Sequence, residues 1–141
     1  MDVLNSTNCS FYFLRLNPGD DLRQALNMFC TTNKITAGSI MSGVGSFKKI
    51  KLRKANSDNF YTSDEPHEIL TISGLISMDG VHIHISVSDK DAQVFGGHLS
   101  DGNIVYTTIE LVIASFPSVH FAREFDAATG FKELSIKPLV R

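Results

Sequence analysis

Hydrophobic and polar residues alternate along most of this chain with a period of two, which is typical of β-strands that bury one face. Aromatic, aliphatic and β-branched residues fill these segments, and clusters of Gly, Pro, Asn and Asp separate them. Residues 56–66 are polar and predict a loop, and residues 117–128 predict a short connection or a helical turn. The predicted strands are residues 11–16, 35–44, 47–55, 67–78, 81–88, 93–99 and 104–116, with a last short strand at 131–136.

One segment has apolar residues at helical spacing instead and predicts an α-helix. A turn at residues 17–20 leads to Asp20 and Asp21, whose carboxylates suit the N-terminus of a helix. The helix should end near Asn33. Its apolar positions are Leu22, Ala25, Leu26, Met28 and Phe29.

Two Asp-Gly pairs, at residues 79–80 and 101–102, predict tight hairpins, and successive hairpins make a sheet antiparallel. Gly43 and Gly45 bracket Val44 and predict a turn or a bulge. A length of 141 residues fits one domain. The predicted fold class is therefore α+β: a single domain with a mainly antiparallel, curled and barrel-like sheet of about seven strands and one or two helices.

The charge balance and the cysteine count narrow the class of protein. Thirteen basic and fifteen acidic residues give a net charge of -2, which argues against a general polyanion binder. Cys9 and Cys30 are too few for a disulfide framework, and no charged and then apolar leader opens the chain. No apolar run approaches the roughly 20 residues of a membrane-spanning helix. We therefore expect a reduced, cytoplasmic protein without a membrane segment.

Three of the five histidines lie within residues 81–99. His82 and His84 are two residues apart on a predicted strand, so their side chains share one face, and His98 follows on the next strand. Neutral imidazole is a good zinc ligand, and three protein ligands plus water form a catalytic type of site. The pattern predicts a metal site at His82, His84 and His98. The alternative is that these are polar side chains on the solvated face of a half-buried strand.

The order of several short motifs is similar to that of a known family. A strand, a Pro-Gly-Asp turn and a helix are followed by SGVGS at residues 42–46, HIH at 82–84 and GGHL at 96–99. Glu68 and Gly74 lie on the strand between them, and Glu110 falls within the long apolar strand. Over about residues 10 to 138 the chain resembles the PPC domain (plants and prokaryotes conserved domain, also called DUF296) of the stand-alone bacterial and archaeal type.

This resemblance implies a homotrimer of α+β subunits. It divides the chain into a flexible N-terminus at residues 1–9, the PPC-like domain at 10–138 and a C-terminal tail at 139–141. Plant members carry AT-hooks that enter the minor groove of DNA, and this sequence contains no AT-hook. The description of the family as DNA-binding derives from the AT-hook and therefore does not extend to this chain.

The same broad fold resembles acetolactate decarboxylase, whose zinc is held by His-x-His and a third histidine downstream. The resemblance thus implies zinc at the three histidines and a small anionic or carbonyl ligand. Enzymatic activity stays open, and a zinc-dependent lyase or hydrolase is its catalytic form.

Three further features have two interpretations each. Glu110 is either a general base or partner of a ligand histidine, or an ion-paired residue at an edge or a subunit interface. Gly96 and Gly97 either open a ligand pocket beside His98 or permit a close approach of backbone. A basic run either contacts DNA phosphates or forms the solvated side of an edge strand. This run consists of Lys48, Lys49, Lys51, Arg53 and Lys54.

Overall fold

Nine strands and one helix form the chain in the computed structural model, which describes residues 1–139. The first half contains β1 (Ser10–Leu16), α1 (Leu22–Thr32), β2 (Gly38–Arg53), β3 (Phe60–Ser63) and β4 (His67–Ser77). The second half contains β5 (Gly80–Ser88), β6 (Val94–Leu99), β7 (Ile104–Ser115), β8 (Val119–Asp126) and β9 (Phe131–Pro138).

Seven of the strands form one antiparallel sheet in the order β1-β7-β2-β4-β5-β6, with β3 beside β2. The end of β2 also pairs with β6, through Leu52 with Leu99 and Arg53 with His98. This additional pairing curls the sheet back on itself. Strands β8 and β9 form a separate hairpin. The predicted α+β class and the curled antiparallel sheet are confirmed.

Strand β2 is one continuous strand of 16 residues, although the sequence predicted two strands, at 35–44 and 47–55. Register shifts against β7, one of them between Gly45 and Phe47, bend the strand without ending it. Gly45 has a φ of +142°, and a Cβ there would lie 2.2 Å from the Thr108 carbonyl oxygen. The sequence allowed either a turn or a bulge at Gly43 and Gly45, and the structure has the bulge. A single strand can therefore pair with β3, β4, β6 and β7.

The predicted helix is confirmed as α1. Asp21 caps its N-terminus, because the Asp21 carboxylate accepts hydrogen bonds from the backbone N–H groups of Arg23 and Gln24. The other carboxylate oxygen of Asp21 accepts a bond of 2.6 Å from the Gly102 N–H, which fastens the helix to the turn after β6. The helix buries Leu22, Leu26 and Cys30 against the sheet.

The main core lies between α1 and the concave face of the sheet, where Phe47, Ile50 and Ile83 are fully buried. A smaller cluster of Ala37, Val119 and Phe121 joins the β8–β9 hairpin to the body. Burial of these apolar side chains is the main stabilising term.

Two sequence predictions of irregular structure are wrong. The predicted loop at 56–66 contains the short strand β3, and the predicted connection at 117–128 contains β8. β3 has only four residues, and β8 begins two residues after Pro117 and ends at Asp126, so neither was recognised without its partner strand. Within residues 1–139 there is no second helix.

Residues 1–9 lie outside the helix and strands, and their predicted flexibility stays a prediction. Leu4 packs against the smaller cluster, and the hydroxyls of Ser6 and Ser118 are 3.0 Å apart. The predicted tail at 139–141 falls mostly outside the described residues. The single helix within residues 1–139 lacks the length and apolar character needed to cross a bilayer.

Candidate metal centre

Strands β5 and β6 bring the three predicted histidines to one face of the sheet. Alternation along β5 buries Ile83 and Ile85 in the core and leaves His82 and His84 exposed on the opposite face. His98 on β6 is the direct cross-strand partner of His84 and is half-buried. The shared face predicted from the sequence is therefore the one that the structure shows.

The ring nitrogens of this histidine cluster (His82, His84 and His98) converge. One nitrogen from each ring lies within 4.8 Å of those of the other two. The Nε2 atoms of His82 and His84 are 3.3 Å apart. Two nitrogens bound at about 2.0–2.1 Å to a tetrahedral zinc lie roughly 3.3–3.4 Å from each other. The spacing therefore suits two ligands of one metal ion.

His98 provides a second test of the fit. Its Nδ1 atom is buried and has no hydrogen-bond partner among residues 1–139. A buried polar atom without a partner is costly, and native structures satisfy nearly all of them. Three neutral imidazoles are also a donor set that zinc accepts. The residues fit a metal.

Electrostatics keep two of the rings neutral. Burial lowers the pKa of His98 to about 4, with further lowering by the charges of His82 and Arg53. Burial also lowers the pKa of His82, followed by the charge of Arg123, while Glu133 acts in the opposite direction. Since a protonated ring has no lone pair to give, these pKa shifts favour metal binding near neutral pH.

The two residues before His98 lie close to the backbone of neighbouring strands. A Cβ on Gly97 would lie 2.7 Å from the Arg53 carbonyl oxygen, and a Cβ on Gly96 would lie 3.1 Å from that of Ile85. Neither glycine is among the residues that line the cavity described next. Of the two interpretations of Gly96 and Gly97, the geometry matches the close approach of strands. The glycines allow β6 to fit between β5 and the end of β2.

A cavity of about 830 Å³ opens beside His82 and His98. A volume of this size is typical of small-molecule sites. Its walls come from the end of β2, the β4–β5 turn, α1 and the β8–β9 hairpin. Four cationic side chains line it, namely Arg23, Arg53, Arg123 and Lys132.

Three of these cations were not predicted from the sequence. Arg23 lies on α1, and Arg123 and Lys132 lie on a hairpin whose first strand was predicted to be a connection. No local spacing relates them to the histidines. Only the pairing of β2 with β6, and the folding of β8–β9 over the cavity, bring them together.

Glu110 lies elsewhere. It is an exposed residue on β7, opposite Arg15 of β1 and Val44 of β2, and it does not line the cavity. The structure therefore does not bring Glu110 to the histidines. Arg15 is its cross-strand neighbour, but the two form no ion pair within 4.0 Å, and the role of Glu110 stays a prediction.

The five cations of the basic run make different contacts. Lys49 forms an ion pair of 3.1 Å with Asp64, and the Lys51 ammonium lies 4.5 Å from the centre of the Phe60 ring. Arg53 lines the cavity, whereas Lys48 and Lys54 are exposed. The run is not on an edge strand, because residues 50–53 pair with β3 and the last two also pair with β6.

Comparison with known proteins gives a family match. A profile of the Plants and Prokaryotes Conserved (PCC) domain matches residues 4–117. The bifunctional protein GlmU of a Synechococcus strain is 43% identical over 128 residues, which cover 91% of this chain. The matched region covers 20% of that relative, so the chain spans about one fifth of the length of the curated relatives that it matches.

Solved structures match over nearly the whole chain. A hypothetical protein from Salmonella is 33% identical with a TM-score of 0.93, and the match covers 96% of this chain and 99% of that one. A metal-containing protein from Archaeoglobus fulgidus is 29% identical with a TM-score of 0.78, over 96% and 99% of the two chains. A candidate DNA-binding protein from Bacteroides thetaiotaomicron is 27% identical with a TM-score of 0.78, over 93% and 98%.

Proposed function

The chain belongs to the Plants and Prokaryotes Conserved (PCC) domain family, and on that premise we propose that it is a zinc-binding protein whose metal takes a small ligand. The ligands are His82, His84 and His98. The observation that carries the proposal is the convergence of their ring nitrogens within 4.8 Å beside a cavity of ligand size. The similarity to a metal-containing protein of Archaeoglobus fulgidus supports it.

The residues of the chain have separate roles in this proposal. His82 and His84 are presented by one strand, and His98 completes the set from the neighbouring strand, directly after the close backbone approach at Gly97. A bound zinc would supply polarisation of a ligand oxygen or a water of near-neutral pKa. Such chemistry serves a lyase or a hydrolase as well as simple ligand binding, and the proposal does not depend on catalysis.

We propose a homotrimer, the assembly that the resemblance to the PPC domain implies, and an exposed apolar surface supports contact between copies of the chain. Side chains on the outer face of β1, β7 and β2 are large, apolar and exposed, and Phe13 is 79% exposed. Neighbouring registers, such as Phe13 with Val112 and Val112 with Ser42, connect these strands, and the exposed Arg15 and Glu110 lie among the apolar side chains. Apolar patches of this kind mark protein contacts. The exposed members are Phe11, Phe13, Met41, Val44 and Tyr106.

Elemental analysis tests the zinc proposal. Protein purified without a metal-affinity tag should contain about one zinc per chain, and His82→Ala should lose most of it because two imidazoles hold zinc weakly. His120→Ala is the matched control, since His120 pairs with Asp79 at 2.9 Å and is not part of the cluster. Wild-type protein that contains no zinc even after incubation with it would contradict the proposal.

A second candidate function is DNA binding through the exposed cations of the basic run at residues 48–54. Lys48 and Lys54 are exposed and can contact phosphate, and the similarity to a candidate DNA-binding protein favours the idea. The net charge of -2 and the ion pair of Lys49 with Asp64 weigh against it. A symmetric oligomer would present several copies of the run to one duplex.

Duplex binding in a salt series tests this second function. Lys48→Ala with Lys54→Ala should weaken binding and reduce the slope of log affinity against log salt by about one for each phosphate that is no longer neutralised. Lys90→Ala with Lys137→Ala removes the same charge elsewhere, where both lysines already pair with carboxylates. No retardation of duplex at low salt would rule out this function.

A further inference from the structure

The wall of the cavity beside the histidine cluster carries four cationic side chains and three acidic ones, which are Asp58, Asp79 and Glu133. Arg23, Arg53, Arg123 and Lys132 reach its wall from four different elements. Cationic side chains from separate elements that converge on one cavity are typical of sites for anions.

Part of that charge is already neutralised by the chain. Arg23 donates to Asp101 at 2.9 Å, and the acidic wall residue Asp79 accepts from His120 at 2.9 Å. Glu133 lies near enough to Arg123 for its charge to affect the pKa of that guanidinium.

Arg53 and Arg123 differ from Arg23. Neither has a carboxylate within 4.0 Å among residues 1–139, and the guanidinium of Arg53 donates only to the Ser57 carbonyl oxygen, at 3.4 Å. Both side chains are half-buried. A half-buried guanidinium without a carboxylate keeps most of its donors available for a ligand.

The positive charges of these two arginines disfavour a bound metal cation. Arg53 is the cross-strand partner of His98, and the charge of Arg123 lowers the pKa of His82. A divalent cation bound by the histidines would be repelled by both guanidinium groups. An anion placed between metal and guanidinium groups turns that repulsion into attraction on both sides.

We propose that the cavity binds a small-molecule anion, with one oxygen on the metal and the others on the guanidinium groups of Arg53 and Arg123. This inference rests on the zinc site proposed above. The shared chemistry of the ligand is a carboxylate or phosphate group, because the planar fork of arginine pairs with both in a bidentate manner. Metal and anion then bind cooperatively, each raising the affinity for the other.

Titration of the full chain with zinc and with two anions tests the inference. Zinc content is measured first, and then inorganic phosphate and oxalate are titrated by calorimetry into the zinc-loaded and the chelator-treated protein. We expect one anion per chain, bound at least tenfold more tightly by the zinc-loaded form. The stronger of the two anions identifies phosphate or carboxylate as the preferred group.

The variants Arg53→Gln and Arg123→Gln should each retain zinc and lose at least tenfold in anion affinity. In buffer without either anion they should bind zinc at least as tightly as the wild type in chelator competition, because a repelling charge is gone. Lys90→Gln, which removes one exposed charge between β5 and β6 outside the cavity, is the control. Arg→Lys variants, which keep the charge and lose the fork, provide a second series if a Gln variant does not fold.

Two failures are distinguishable. If the wild-type protein holds zinc but binds neither anion, this inference alone is overturned. The same holds if both Gln variants bind the anions as tightly as the wild type does. A protein that takes up no zinc overturns the proposed function and this inference with it.

Discussion

His98 is the residue on which the histidine cluster depends most. Burial and neighbouring positive charge lower its pKa to about 4, and its Nδ1 atom has no partner among the described residues. His82 and His84, by contrast, are exposed and keep access to water. The cost of holding one polar ring in a poorly solvated position is typical of functional sites, where stability is given up for chemistry.

This placement predicts a pH dependence of stability in metal-free protein. The folded ring has a pKa of about 4, below its ordinary 6.5, so the unfolded state binds the proton first as the pH falls. The free energy of unfolding should therefore drop between about pH 6.5 and pH 4, and His98→Gln should remove that part of the drop. Urea unfolding of chelator-treated wild type and variant, at pH 7 and at pH 5, measures the difference. Equal losses in both proteins would contradict the assignment of this titration to His98.

The cysteines give a second prediction at the residue scale. Burial raises the pKa of the Cys30 thiol to about 12, whereas Cys9 is exposed. Because the thiolate is the reactive form, an alkylating reagent at pH 8 should modify Cys9 in the native protein and leave Cys30 unmodified until the chain unfolds. Mass spectrometry of native and urea-treated samples checks this. Equal labelling of both cysteines in the native protein would show that α1 does not pack as described.

At the scale of elements, local patterns predicted those strands whose alternation is long and whose turns carry Asp-Gly. The β5 strand is the clearest case, because its apolar face and its histidine face follow directly from residue order. The β8 strand and the continuity of β2 were missed, since both depend on partners far along the chain. The same limit explains why His82, His84 and His98 were found and Arg123 was not.

Gly97 joins two of these elements and carries an element-scale prediction. Gly97→Ala should push β6 away from the Arg53 carbonyl, lower the melting temperature and weaken zinc binding, because His98 follows directly. Gly96→Ala is the matched control with a looser contact, and its effects should be smaller. Thermal unfolding and chelator competition on both variants measure this. A Gly97→Ala protein as stable and as tight for zinc as the wild type would show that the close approach is not needed.

At the scale of the whole molecule, the side of the sheet that faces away from the core has two regions of different character. The region around the histidines is polar and cationic and borders the cavity, which suits a small ligand. The region on β1, β7 and β2 exposes large apolar side chains around Arg15 and Glu110, and the proposed contact with further copies of the chain would cover it. The sequence shows these apolar residues, but it does not show that they are neighbours in space, because this depends on the strand order β1-β7-β2.

Light scattering tests the proposed trimer. Wild-type protein should have three times the 15.5 kDa mass of one chain, and Phe13→Asp should shift it toward the monomer, because a buried unpaired carboxylate is costly. Phe125→Asp is the matched control, since Phe125 is also exposed but lies on the β8–β9 hairpin. A monomeric wild type, or a Phe13→Asp variant that stays trimeric, would contradict the proposed interface.

The central claim is that one metal ion binds at the histidine cluster, and anomalous scattering at the zinc absorption edge tests it most directly. Crystals of protein purified without a metal-affinity tag and supplied with zinc should give one anomalous peak per chain. We predict that this peak lies about 2.0–2.1 Å from a ring nitrogen of each of His82, His84 and His98. No peak among the three rings, or a peak elsewhere on the chain, would contradict it.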